Sequence, residues 1–219
     1  MSGTSPARIS EIISRLEAAY GPPRRHRRLP PLDELVLTIL SQNTSDLNSE
    51  RAYAAMRERF PTWREVRDAP EADLVDVLRP GGLAVQKAPR IQAVLRGLDG
   101  LDLEWLATVP TAEAMDWLLA LPGVGPKTAS CVLLFSLGVP VMPVDTHIHR
   151  IAGRVGLIPA GASADAAHAI LTEMVPPAQM LEAHLLLITH GRTTCTARRP
   201  RCDECVLLDL CDYGRAVRT

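Results

Sequence analysis

Aromatic side chains are scarce in this sequence, with three Trp, three Tyr and two Phe among 219 residues. The core must therefore be built from aliphatic side chains, and the abundance of Ala and Leu suits closely packed helices. Long apolar runs are also missing. None reaches the length of a membrane span, and the first residues lack the apolar stretch of a signal peptide, so a cytoplasmic protein with no membrane partner is expected. The formal net charge is only −1, so bulk electrostatics does not announce a polyanionic partner. Alternating strand patterns, internal repeats, low-complexity stretches and long linkers are absent too.

What remains is helical periodicity. Ile9, Ile12, Ile13, Leu16 and Tyr20 fall at three- and four-residue spacing before Gly21-Pro22-Pro23, and Leu32, Leu35, Val36, Ile39 and Leu40 form a second stripe. Further helices are expected over about 47–60, 71–78, 88–98, 112–121, 127–137, 146–155, 164–174 and 178–189. Thr111 and Ser163 read as N-caps, Gly138 and Gly156 as C-caps, and Pro126 as a first helical residue. The expected fold class is all-α, with about ten short helices.

Four of the five cysteines crowd the last 25 residues, as Cys195-x6-Cys202-x2-Cys205-x5-Cys211. Disulfides are uncommon in the cytosol, so such a cluster points to a metal centre. Zinc sites usually show two paired C-x2-C knuckles and only one pair occurs here, so spacing leaves zinc and an iron–sulfur cluster both open. Arg192, Arg198, Arg199 and Arg201 lie in the same loop, and Arg24-Arg25-His26-Arg27-Arg28 forms a second basic cluster. These make nucleic acid a candidate partner despite the neutral total.

Between two expected helices lies Leu121-Pro122-Gly123-Val124-Gly125-Pro126-Lys127-Thr128-Ala129. Two glycines permit a tight hairpin whose main-chain N–H groups can approach a phosphate, and the helix opened by Pro126 adds its positive end. Neither a P-loop nor a dinucleotide fingerprint fits. Pro126 and Leu121 occupy P-loop glycine positions, Thr128 stands where the fingerprint needs its third glycine, and no strand precedes the loop. Farther on, Val144-Asp145-Thr146-His147-Ile148-His149-Arg150 puts Asp145 at a helix mouth, the position of an ordinary N-cap. A lysine and a carboxylate at two helix starts, near a phosphate-gripping hairpin, suggest amine-and-carboxylate chemistry on a phosphodiester-linked substrate.

The hairpin, the Asp145 segment and the four-cysteine loop, in that order, resemble the endonuclease III family, base-excision DNA glycosylases of the helix–hairpin–helix superfamily. The resemblance runs from about residue 8 to Tyr213, and Leu40-Ser41-Gln42-Asn43-Thr44-Ser45-Asp46 and Gly82-Leu83-x3-Lys87-Ala88 add to it. It implies two helical lobes flanking a DNA-binding cleft. One is a six-helix barrel over residues 30–138, with the helix–hairpin–helix at about 115–138. The other combines 1–29 with 139–219 and carries the cluster loop, 195–211.

The same resemblance implies a 4Fe-4S cluster on Cys195, Cys202, Cys205 and Cys211. Lys127 would be the nucleophile and Asp145 the carboxylate that stabilises charge on the sugar. Gly123, Val124, Gly125 and Thr128 would grip the strand, with His147, Arg192, Arg198, Arg199 and Arg201 also facing DNA. Gln42, Asn43 and Leu83 would fill the hole left by a flipped base. Which of Gln42 and Asn43 is the wedge stays open.

Gly81 stands where the family often has a bulkier apolar residue, so a weaker wedge or a more mobile loop is expected. Leu119 replaces an acidic pocket residue. The implied activity is a bifunctional glycosylase and abasic-site lyase, monomeric, acting on oxidised pyrimidines in duplex DNA at the nucleoid. A mismatched-thymine or uracil glycosylase and a non-catalytic damage-binding protein are the alternatives.

Overall fold

The computed structural model describes residues 6–23, 28–98 and 100–218. The basic run Arg24-Arg25-His26-Arg27 lies outside them, while the Arg28 guanidinium donates to the main-chain carbonyl of Ser136. All regular structure among the described residues is helical. The chain order is α1 (Pro6–Tyr20), α2 (Pro31–Ser41), α3 (Asp46–Arg59), α4 (Trp63–Asp68), α5 (Glu71–Leu78), α6 (Ala84–Arg96), α7 (Thr111–Leu119), α8 (Pro126–Cys131), α9 (Thr146–Val155), α10 (Ala164–Met174), α11 (Met180–Thr193) and α12 (Asp212–Arg218).

Two compact units emerge, Arg28–Val139 and the combination of Met1–Arg27 with Pro140–Thr219. In the first, α2 packs on α3 and α8, and α5 on α3 and α6. Leu35, Ile39, Leu40, Met56, Leu74, Leu78, Ile91 and Leu95 are fully buried there. In the second, α1 lies against α11, and α9 packs on both α11 and α12. The α1 stripe of Ile9, Ile12, Ile13 and Leu16 is completely sequestered, as its spacing demands.

Local chemistry sets most boundaries. Ser163 accepts from the Ala166 N–H at 3.1 Å, and Gly138 and Gly156 end their helices at φ 70° and 84°. The expected cap at Thr111 is corrected. Pro110, which has no side-chain group to cap with, occupies the cap position, and Thr111 is the first helical residue. Helix α6 starts at Ala84, four residues earlier than expected, and carries Pro89 in its interior. After α8 the chain widens into a π-helix over Val132–Leu137, closed by Gly138. No helix among the described residues is long and apolar enough to cross a membrane.

Candidate functional site

The glycine hairpin joins α7 to α8. Gly123 turns the chain at φ 75°, and the Val124 N–H closes the turn on the Leu121 carbonyl at 3.2 Å. Leu121 and Val124 are buried and anchor the hairpin, whereas Pro122 and Gly123 are exposed. The two glycines serve different ends. A Cβ at Gly123 would fall 2.6 Å from Arg90 Cδ, so this glycine admits the arginine. Gly125 is extended (φ −104°), and a Cβ there would meet nothing within 4 Å, so its main chain is open to an outside group. Lys127, second residue of α8, is half-buried.

Thr128 is buried, and its hydroxyl accepts from Gln42 Nε2 at 3.3 Å. Arg90 donates to Gln42 Oε1 at 2.7 Å from the other side. Gln42 is therefore held at both ends of its amide, against the hairpin helix and Arg90. Its neighbour Asn43 is exposed and adopts φ 55°. Leu83, at φ 53° and 44% exposed, forms a second left-handed corner. Gly81 beside it is buried, and a Cβ there would lie 2.8 Å from the Ala52 Cβ on α3. Thus Gly81 is a close-packing contact against α3.

In the other unit, Asp145 caps α9, its carboxylate accepting from the Ile148 N–H at 2.8 Å. His147 Nδ1 lies 3.1 Å from the Arg150 guanidinium, and His149 Nε2 lies 2.8 Å from the Ala162 carbonyl. His190 is buried. Its Nδ1 is 2.7 Å from the Tyr20 hydroxyl and its Nε2 3.8 Å from Cys205 Sγ, and burial with the nearby Arg150 charge lowers its pKa to about 4. It is thus a neutral support beneath the cysteine loop.

Cys195, Cys202, Cys205 and Cys211 are free thiols ringing one space of about 350 Å³, partly open to solvent. Among the described residues no three Cys, His, Asp or Glu side chains converge as a lone ion would require. Four thiols lining one space fit the all-cysteine donor set of an iron–sulfur cluster. Arg154 donates to Cys195 Sγ at 3.3 Å, and the Gly214 N–H to Cys211 Sγ at 3.3 Å, contacts that favour thiolates. Burial pushes the Cys205 and Cys211 thiols up, so metal bonding has to displace their protons.

Arg154 also ties down the loop carbonyls of Thr196 (2.8 Å) and Ala197 (2.9 Å), and Arg150 those of Gly191 and Cys195 (both 3.0 Å). Arg192, Arg198 and Arg199 are exposed. Arg201, also exposed, folds back on the Thr193 carbonyl (2.5 Å) and Glu204 (3.6 Å). Arg90, Arg150 and Arg154 were not singled out in the sequence. Only the four-residue spacing of Arg150 and Arg154, one turn apart on α9, hinted at a shared task.

Residues 36–177 match the family model of the HhH-GPD superfamily of base excision DNA repair proteins, and 195–211 the iron–sulfur binding domain of endonuclease III. Endonuclease III of Thermotoga maritima is 34% identical over 94% of this chain and 91% of its own length. The chain belongs to the endonuclease III family. The Escherichia coli K12 member is 33% identical, covering 96% of this chain and 98% of that protein. A putative DNA glycosylase of Arabidopsis thaliana is 39% identical, but the match spans only 56% of that longer protein.

Among solved structures, a non-covalent endonuclease III–DNA complex superposes with a TM-score of 0.81 at 26% identity, covering 98% of this chain and 99% of the other. The all-helical fold is that of the family, a 4Fe-4S cluster is its cofactor, and the four cysteines fall within the residues matched to the iron–sulfur binding domain. Lys127 and Asp145 belong to different units, and within the first unit Gln42 and Thr128 are brought together.

Proposed function

We propose that this chain is a bifunctional DNA glycosylase and abasic-site lyase that removes oxidised pyrimidines from duplex DNA, working as a monomer at the cytoplasmic nucleoid. The observation that carries the reading is a half-buried lysine on the second residue of the hairpin helix, beside an unobstructed glycine main chain. Only two lysines occur in the whole chain, Lys87 and Lys127, against 22 arginines. An arginine cannot shed its proton to become a nucleophile, so a lysine retained at the hairpin of an arginine-rich chain favours amine chemistry.

In this reading the flipped nucleotide exposes its sugar to Lys127. The neutral amine's lone pair forms a bond to the anomeric carbon as the glycosidic bond breaks, and the base departs with that bonding pair and takes up a proton. The amine's extra proton then passes to the ring oxygen as the C1′–O4′ bond breaks, and the nitrogen lone pair closes the C1′=N bond of a Schiff base on the opened sugar. Removal of a proton from the adjacent sugar carbon then expels the 3′ phosphate and nicks the strand. The Asp145 carboxylate offsets positive charge on the sugar. Gly123, Val124, Gly125 and the main chain of Thr128 hold the strand, while His147, Arg192, Arg198 and Arg199 add contacts on the cluster side. Asn43 rather than Gln42 serves as the wedge, because Gln42 is engaged by Arg90 and Thr128. The cluster's chemistry here is structural, fixing the shape of a basic loop.

The test is a panel of duplexes carrying an oxidised pyrimidine, a mismatched thymine, uracil or no lesion, assayed for base release and nicking. Release coupled to nicking, strongest on the oxidised pyrimidine, is expected. Release without nicking would reduce the protein to a glycosylase, and binding without release to a damage reader. The exposed Leu119 at the end of α7 replaces the acidic pocket residue, so a shift toward mismatched thymine would be traced there first.

A further inference from the structure

The second lysine is not at the hairpin. Lys87, on α6, is 3% exposed, and its ammonium donates to two main-chain carbonyls, Leu40 at 2.6 Å and Gly81 at 3.0 Å. Each acceptor precedes a corner of interest. Leu40 is in the last turn of α2, where carbonyls lack helical partners and a cation is favoured, and the chain turns at Asn43 three residues later. Gly81 leads into Leu83, whose own carbonyl accepts from the Lys87 main-chain N–H at 2.9 Å. Asn43 and Leu83 are the two non-glycine residues with positive φ among the described residues, and both are exposed. Such conformations persist only where neighbours over-determine them. Arginine, which replaces lysine almost everywhere else in the chain, is a rigid fork unsuited to a compact buried site between two carbonyls.

We infer that Lys87 is a positioning residue that ties the Asn43 and Leu83 corners into one rigid two-pronged wedge. This rests on the wedge role given to those two residues above. Removing the ammonium leaves two carbonyls without their donor, and the corners relax independently.

The experiment compares Lys87→Met with the unmodified holoprotein on a duplex whose non-cleavable abasic analogue faces 2-aminopurine. Fluorescence reports the unstacking caused by wedge entry. In parallel, turnover is measured on one lesion placed in duplex and in single-stranded DNA, where no partner strand needs separating. The expected result is a weaker fluorescence rise and a roughly tenfold lower kcat on duplex, with single-strand turnover unchanged and no further loss when Lys87→Met is added to Leu83→Ala. Equal losses on both DNAs would reduce Lys87 to a general stabiliser and overturn the inference.

A full fluorescence rise in Lys87→Met would also overturn it while leaving the wedge assignment intact. No rise with the unmodified protein would sink the wedge assignment itself, and the inference with it. If Lys87→Met does not unfold cooperatively, Lys87→Gln, which keeps donors on a shorter side chain, carries the same comparison.

Discussion

Replacing Arg154 with methionine keeps much of the side chain's bulk and removes its charge. The structure allows the consequence to be sized. The guanidinium donates to the Thr196 carbonyl at 2.8 Å, the Ala197 carbonyl at 2.9 Å and Cys195 Sγ at 3.3 Å, and its carbon sits 4.7 Å from the Tyr213 ring centre. Hydrogen bonds from a charged donor contribute about 1.5–3 kcal/mol each, and partial solvent exposure here brings the group to about 2–4 kcal/mol. Because the carbonyls belong to the cluster loop, that energy bears mainly on local loop opening. At about 1.4 kcal/mol per tenfold, opening becomes about 30- to 700-fold more frequent.

The assay follows the broad visible absorbance of the holoprotein under an iron chelator, and Arg154→Met should bleach faster by that factor. Arg199→Met provides the contrast, since Arg199 is exposed and should leave the rate near that of the parent. Equal bleaching by the parent and Arg154→Met would refute the reasoning.

Other outcomes follow from single contacts. Gly81→Ala should cost about 1–3 kcal/mol in urea unfolding, because its methyl would press on Ala52; adding Ala52→Gly should recover part of the loss, whereas strict additivity would deny the contact. Burial lowers the Lys87 pKa from its ordinary 10.5, so the unfolded chain binds more protons between the two values and stability should rise with pH across that window. Lys87→Met should flatten this rise, which chemical unfolding at several alkaline pH values would reveal. Arg198→Ala and Arg199→Ala should each lower the slope of log affinity against log salt by about one. Arg201→Ala should lower it less, since Arg201 is already engaged by the Thr193 carbonyl and Glu204.

Helix boundaries were readable wherever one side chain or one φ decides them. Ser163, Asp145, Pro126, Gly138 and Gly156 all act through their immediate neighbours, and each sits where its chemistry requires. Helix α4 escaped because six residues cannot show an apolar stripe. Its signature was the Thr62–Glu65 capping box, a short pattern easily passed over. The early start of α6 was hidden by Pro89, which normally marks a first turn, and by Leu83, whose left-handed cap is rare for leucine.

At the site, residue types and spacing exposed the hairpin, the carboxylate cap and the thiols. The contacts that hold them were invisible for a common reason. Arg90, Arg150, Arg154 and Lys87 reach residues distant in sequence, mostly through main-chain carbonyls, which every residue possesses and no motif encodes. Gly81 looked like a weakness because its tight fit against Ala52 depends on another helix.

The proposed chemistry turns on reaction of the Lys127 amine with the sugar. Incubating the holoprotein with an abasic duplex and borohydride, then locating the modified peptide by mass spectrometry, tests it in one step. With only one other lysine in the chain, and that one buried, the assignment is unambiguous. A single adduct on Lys127 that disappears in Lys127→Gln is expected; a persistent adduct in that variant, or none with the parent protein, would rule out Lys127 as the nucleophile.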